Sequence, residues 1–270
     1  MIELKPTNDY IFKRIFGVQK NSELLKNLLQ SILTDIKIEI VEIKKDVSLE
    51  RQQMQEKLGI LDIVATLKDK TKVNIEMQVK DYDNTIDRSV FYETGLYHES
   101  LELGQNYIDI PRSISIWITN FNVFEEGPFH ERAKLKRDYE NIVLTNKLEI
   151  HYIQLPKFKE KCKRISSKLE EWLTFIQNDN VEEIRMIENE YIQKAEDEFE
   201  YLTGDEAEKR LAELREKAIR DEAAALKGAT QKGIEQGKIE VAKKMLAEKI
   251  DIELIMKITE LTKEKIEKLQ

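Results

Sequence analysis

The chain has one cysteine, Cys162, and three histidines, His98, His130 and His151, in 270 residues. A single thiol excludes a disulfide framework, and so few soft ligands leave no basis for a cysteine-rich or structural zinc site. Prolines number four, all before residue 157, and no aromatic residue follows Tyr201. No apolar run approaches the roughly 18 residues that a membrane span needs, so no membrane association is expected. The N-terminal MIELKPTNDY carries acidic residues and no long apolar stretch. It is not a signal-peptide pattern, and the expected location is the cytoplasm. An excess of positive charge is also missing: 44 Lys plus Arg face 52 Asp plus Glu, a net of -8. Taken alone, that balance argues against a nucleic-acid partner.

The distribution of the charge removes the objection. Residues 1–165 hold 26 basic and 26 acidic side chains, so the whole excess lies in residues 166–270, with 18 and 26. The first stretch reads as a globular core, 1–165, with a 41% apolar chain able to fill it. The second, 166–270, reads as acidic exposed helices. Two local basic runs, Arg132-Ala133-Lys134-Leu135-Lys136-Arg137 and Lys157 to Arg164, offer a phosphate footprint, or simply solvated faces.

Periodicity supplies the elements. Thr7 or Asn8 caps a helix with Phe12, Ile15 and Phe16 on one side and Gly17 as its stop. Ser22 opens a second helix. Strands are expected at 37–43, 59–68, 72–80 and 113–123, with a helix from about Asn84 to Leu103 ended by Gly104. Two more strands, 139–145 and 148–155, are expected to pair across Asn146. Trp172, Phe175 and Ile176 form the apolar stripe of a helix opened by Ser166 or Ser167 and docked on the core. Residues 181–226 are helix formers, and Gly228, Gly233 and Gly237 are expected to interrupt the helix. Asp251 and Thr262 cap two short terminal helices. The order gives an α/β sandwich followed by an all-helical region.

The chemical anomaly is Asp62 within Ile60-Leu61-Asp62-Ile63-Val64-Ala65, a run that otherwise asks for burial. A buried carboxylate requires a partner or a metal. On the next strand Asn74, Glu76, Gln78 and Lys80 share one face. Pairing Lys68 with Lys72 sets Asp62 opposite Gln78 and puts both carboxylates on one face, where two like charges call for a cation. Oxygen ligands on a rigid hairpin suit Mg²⁺ or Mn²⁺. The same alternation also describes a strand with a solvated face, and Asp62 bonded to backbone or to a lysine such as Lys57. Arg88 and Tyr92, one helical turn apart, are placed to reach a scissile or flanking phosphate, or to form a surface ion pair and a packed ring.

Asn8-Asp9-Tyr10-Ile11-Phe12-Lys13-Arg14-Ile15-Phe16-Gly17, the Asp62 segment and Asn74-Ile75-Glu76-Met77-Gln78 together resemble the Rpn family of recombination-promoting nucleases, also described as transposases of the PD-(D/E)XK nuclease superfamily. Gln154-Leu155-Pro156-Lys157-Phe158 and Gly233-Ile234-Glu235-Gln236-Gly237 are similar to that family too. The resemblance implies a restriction-endonuclease-like core, a mixed sheet flanked by helices, and metal-dependent DNA endonuclease activity linked to recombination or mobile elements. It implies Asp62 as the motif aspartate, Glu76 as the second acid and Gln78 where the superfamily usually has lysine. Metal ligands would be Asp62, Glu76 and the Met77 carbonyl; Asp9 matches the N-terminal acid. The spacing of Arg88 and Tyr92 is also similar to the family's, and Lys134, Lys136 and Arg137 complete the expected DNA contacts. A glutamine orients water but does not accept its proton. A catalytically weak nuclease fold serving as a DNA-binding or assembly module is therefore the alternative, and an interaction protein working through its acidic tail a third. The C-terminal pair of helices, lacking net positive charge, is expected to be an oligomerisation hairpin giving a homo-oligomer rather than a DNA-reading helix-turn-helix.

Overall fold

The computed structural model describes residues 4–48, 60–162 and 164–269. Helix α1 (Asp9–Phe16) starts where the Asn8 side chain accepts from the Tyr10 and Ile11 amides. Its apolar stripe, Ile11, Phe12, Ile15 and Phe16, is buried. Gly17 is needed there for space: a Cβ would lie 2.7 Å from the Lys13 carbonyl oxygen and 3.2 Å from Ile63. Helix α2 (Ser22–Ile32) buries its leucines beside it.

Six strands form one mixed sheet: β1 (Ile40–Ser48), β2 (Ile60–Leu67), β3 (Lys72–Gln78), β4 (Ser113–Thr119), β5 (His130–Lys134) and β6 (Leu148–Gln154). Their spatial order is β1-β2-β3-β4-β6-β5. The first three run antiparallel, β3, β4 and β6 run parallel, and β5 returns antiparallel to β6. The parallel step from β3 to β4 is made through helix α3 (Thr85–His98). One face of β3 and β4, with Val73, Ile75, Met77, Ile114, Ile116 and Ile118, joins the core under α1 and α2. The alternate residues Asn74, Glu76, Ser113, Ser115 and Thr119 are also buried but polar. Strand periodicity thus separates a dry face from a chemical one.

Helices α4 (Leu155–Lys161), α5 (Lys168–Gln177), α6 (Val181–Arg185) and α7 (Glu190–Gly204) follow. A capping box between Ser167 and Glu170 starts α5. Trp172, Leu173, Phe175 and Ile176, with Ile192, Ala195 and Leu202 of α7, belong to the main core. The first compact unit therefore runs through Glu213 and the second is Leu214–Gln270; composition placed the change near residue 165. Charge follows exposed faces, whereas unit membership follows the buried stripe.

Helix α8 (Glu206–Ala247) passes through Gly228, Gly233 and Gly237 without a break. An interior glycine costs a helix only about 1 kcal/mol, too little to stop this one. In the second unit Ala242, Ile255, Leu261 and Ile266 form a small core joining the end of α8 to α9 (Ile252–Thr259) and α10 (Lys263–Glu267). No helix among the described residues is long and apolar enough to cross a membrane.

Three boundaries differ from expectation. The strand expected at 37–43 is β1 at Ile40–Ser48, α3 ends five residues before Leu103, and β4 stops at Thr119. Residues 139–145 are not the partner of β6. Glu140 and Asn141 have φ of 58° and 53°, turning the chain back, and an isolated Lys136–Val143 bridge is all that pairs there. The partner is β5, whose mixed polar sequence HERAK hid it.

Candidate active site

Strands β2 and β3 pair from Thr66–Lys72 through Ile63–Ile75. Asp62 therefore stands across from Glu76, two residues from the expected partner Gln78. The cause is the turn: Leu67 N–H donates to the Thr71 carbonyl, Lys70 adopts φ 68°, and Asp69 accepts from the Thr71 amide. An even shift preserves side-chain parity, so both carboxylates remain on one face. Past Ile63–Ile75 side chains replace the ladder. The Asp62 amide donates to Glu76 Oε1 at 3.1 Å, and the Met77 amide donates to Asp62 Oδ2 at 3.3 Å.

Glu76 is 1% exposed. It also accepts from Asn74 Nδ2 at 3.1 Å and Gln78 Nε2 at 3.3 Å. Gln78 Oε1 in turn accepts from Arg88 Nη1 at 3.3 Å. The Arg88 guanidinium lies 5.5 Å from the Tyr92 ring centre and 5.6 Å from that of Trp117, both aromatic faces favouring a cation. From α1, Lys13 Nζ approaches Asp62 Oδ1 at 3.1 Å. Asp9, one turn earlier on the same face, is buried.

Burial pushes the Asp62 carboxyl up, Asp9 adds to the shift, and Lys13 and the Met77 amide oppose it. Glu76 is raised well above the usual carboxylate range by burial and then by Asp62, against the Asp62 amide, Asn74 and Arg88. The two acids are thus held close with less positive charge than they demand.

The structure gathers Asp9, Asp62, Glu76, Met77, Gln78, Arg88 and Tyr92. It does not bring the basic runs to them as free cations. Lys134 is a largely buried partner of Glu149 at 3.2 Å, while Lys136 and Arg137 lie in the exposed loop after β5. In the second run Lys157 is buried and donates to the Glu126 carbonyl, Lys159 pairs with Asp179 at 2.7 Å, and Lys161 donates to the Gly127 carbonyl at 2.5 Å. Lys163 and Lys57 lie outside the described residues. Sequence reasoning missed Lys13, whose signal was its position four residues after Asp9, and Asn74, which looked like one more solvated polar residue. His130 Nε2 and His151 Nδ1, unrelated in spacing, meet at 2.8 Å.

The family model described as PD-(D/E)XK nuclease family transposase matches residues 6–229. The chain belongs to this family. The model described as Rpn/YhgA-like nuclease family, C-terminal HTH domain matches residues 235–270. No curated protein and no solved structure matches the chain. The six-stranded mixed sheet flanked by helices is the fold expected of the Rpn family. The C-terminal match corrects the expectation of a plain hairpin: the span it covers, the end of α8 followed by α9, a turn at Glu260 with φ 58°, and α10, matches a helix-turn-helix domain. Eight lysines balanced by eight acids in residues 235–270 concealed it, since a neutral total says nothing of which face the lysines occupy.

Proposed function

We propose that the chain hydrolyses DNA phosphodiester bonds as a divalent-metal-dependent endonuclease acting in recombination or the movement of mobile elements. The observation that carries this reading is the Asp62–Glu76 pair, side by side at the end of a strand ladder with Glu76 buried and Asp62 largely so. The residues fit Mg²⁺ or Mn²⁺: the donors are hard oxygens, and the pair's elevated proton affinity marks unmet demand for positive charge. Among the described residues no group of three or more His, Cys, Asp or Glu side chains is placed to hold a metal ion by itself, so the site would rest on two carboxylates and a backbone carbonyl. Asp62, Glu76 and the Met77 carbonyl would hold the ion, leaving positions for water and phosphate. When bound, it supplies charge neutralisation at the phosphate and lowers the pKa of the attacking water.

The chain's own residues do the rest. Arg88, braced by Tyr92 and Trp117, binds a scissile or flanking phosphate, and Gln78 orients the attacking water through its amide. Asp9 helps order the same water or ion from α1. The water oxygen bonds to phosphorus, the bond to the leaving oxygen breaks, and the water's proton passes to the leaving oxygen through solvent. The Gln78 amide takes no proton.

In this reading Met1–Glu213 cuts, and the C-terminal helix-turn-helix holds DNA. Exposed Leu214, Leu226 and Ile234 along α8 support a homo-oligomer built through the C-terminal helices. Phosphate contact by Lys136 and Arg137 belongs to the same reading; Lys134 is left to Glu149.

Supercoiled plasmid incubated with the protein should be nicked in Mg²⁺ or Mn²⁺ and left intact in EDTA. Asp62→Ala and Glu76→Ala should each lower nicking by about 100-fold or more. Nicking that survives both substitutions rejects the site. Intact plasmid under every metal, with DNA still bound, favours the binding or assembly module, a reading supported by Gln78 at the lysine position.

A further inference from the structure

Position 78 provides no cation, yet an ammonium stands at the carboxylates from elsewhere. Lys13 Nζ is 3.1 Å from Asp62 Oδ1, with 18% and 15% of the two side chains exposed. Its backbone is rigidly placed: Phe12 and Phe16 are fully buried, and the Gly17 amide closes the helix on the Lys13 carbonyl at 2.9 Å. Asp62 does not need this lysine for its position, because its other oxygen is held by the Met77 amide. A largely buried ion pair gains a fold little over an apolar pair of similar size. A flexible four-carbon stem ending in a compact charge is suited to exchanging one anionic partner for another close by.

We propose that Lys13 is the site's mobile cation: it neutralises Asp62 while no metal is bound and passes to a non-bridging oxygen of the scissile phosphate when a divalent ion takes Asp62. It is then a substrate-contacting residue, contributed by α1 rather than by β3. The inference rests on Asp62 and Glu76 being the metal site proposed above.

Three opposed expectations separate this role from a plain structural salt bridge. A competing ammonium repels the incoming ion, so Lys13→Gln should bind Mn²⁺ about tenfold more tightly than the unmodified protein. The same variant should nick plasmid about 100-fold more slowly at saturating Mn²⁺, having lost a phosphate contact. Lys13→Arg, which keeps the charge, should retain near-normal Mn²⁺ affinity and recover part of the nicking. A residue that merely braces Asp62 would give weaker Mn²⁺ binding on removal.

The experiment is Mn²⁺ titration by calorimetry on the full chain, with Lys13→Gln, Lys13→Arg and Asp62→Ala compared, alongside nicking at saturating Mn²⁺. Thermal melting of each variant identifies any that fails to fold, and Lys13→Arg then carries the test. Tighter binding with slower nicking in Lys13→Gln supports the proposal. Unchanged or weaker Mn²⁺ binding in Lys13→Gln overturns it while Asp62→Ala still loses the ion. Mn²⁺ bound equally by Asp62→Ala, or by no form of the protein, overturns the metal site and the proposal with it.

Discussion

Two buried carboxylates a few strands apart have opposite surroundings. Glu149 on β6 has a side chain with no exposure, and Arg112 Nη2, Arg132 Nε, Lys134 Nζ and His151 Nε2 approach it at 2.5, 3.3, 3.2 and 2.9 Å. Burial would raise its pKa, yet the bonds from His151 and Arg112 hold it at about 2. Glu76 on β3 has another acid beside it, amide donors around it, and a pKa pushed well up. Burial alone therefore does not mark a reactive acid. A carboxylate surrounded by cations locks the fold, whereas one left short of positive charge has a use for an ion from outside.

The comparison breaks most visibly at Glu149. Glu149→Ala leaves two arginines, a lysine and a histidine without their shared anion, and should cost about 3–5 kcal/mol in chemical denaturation. A loss below 1 kcal/mol would show that the cluster is not a lock. Glu93 on α3 lies between the two cases. Burial, opposed by the Ser113 and Ser115 hydroxyls, pushes it to about 7, and its Oε2 has no hydrogen-bond partner. Because the folded pKa is above the unfolded one, its contribution is present below the ordinary value of 4.5 and is lost as pH rises through 7. Glu93→Gln should match the unmodified protein near pH 4 and exceed it by up to about 3 kcal/mol near pH 8. A gain independent of pH would contradict this.

Glu76→Gln should make the protein more stable by about 1 kcal/mol at neutral pH while abolishing nicking, the trade expected where charge is held under repulsion. Stability and activity falling together would put Glu76 with Glu149. The smallest effect belongs to the surface: Lys159→Ala, which leaves half-exposed Asp179 paired with Lys5, should change stability by less than about 1 kcal/mol.

Local rules made much of this legible in the sequence. Asn8, Ser167 and Asp251 cap the helices that their positions foretold, and strict alternation in β3 put Asn74, Glu76 and Gln78 on one face. Parity survives a register error, so the two acids were expected on one face, as they are, although Asp62 was set opposite Gln78 and the hairpin slid by two residues. What stayed hidden depends on tertiary distance. Lys13 and Asp62 are 49 positions apart in the chain. The basic runs looked free because their acceptors, Glu149, Asp179 and the Glu126 and Gly127 carbonyls, come from other segments. β5 lacks an apolar face, and its pairing is set by β6.

The central claim is that Asp62 and Glu76 are held short of charge for a divalent ion. The most direct measurement is the melting temperature of the unmodified protein and of Glu76→Gln, each with and without Mn²⁺. Binding to the folded state alone must raise the transition. The account predicts that Mn²⁺ raises the melting temperature of the unmodified protein and leaves Glu76→Gln, already higher without metal, unmoved. Equal shifts in both proteins, or no shift in the unmodified one, would contradict it.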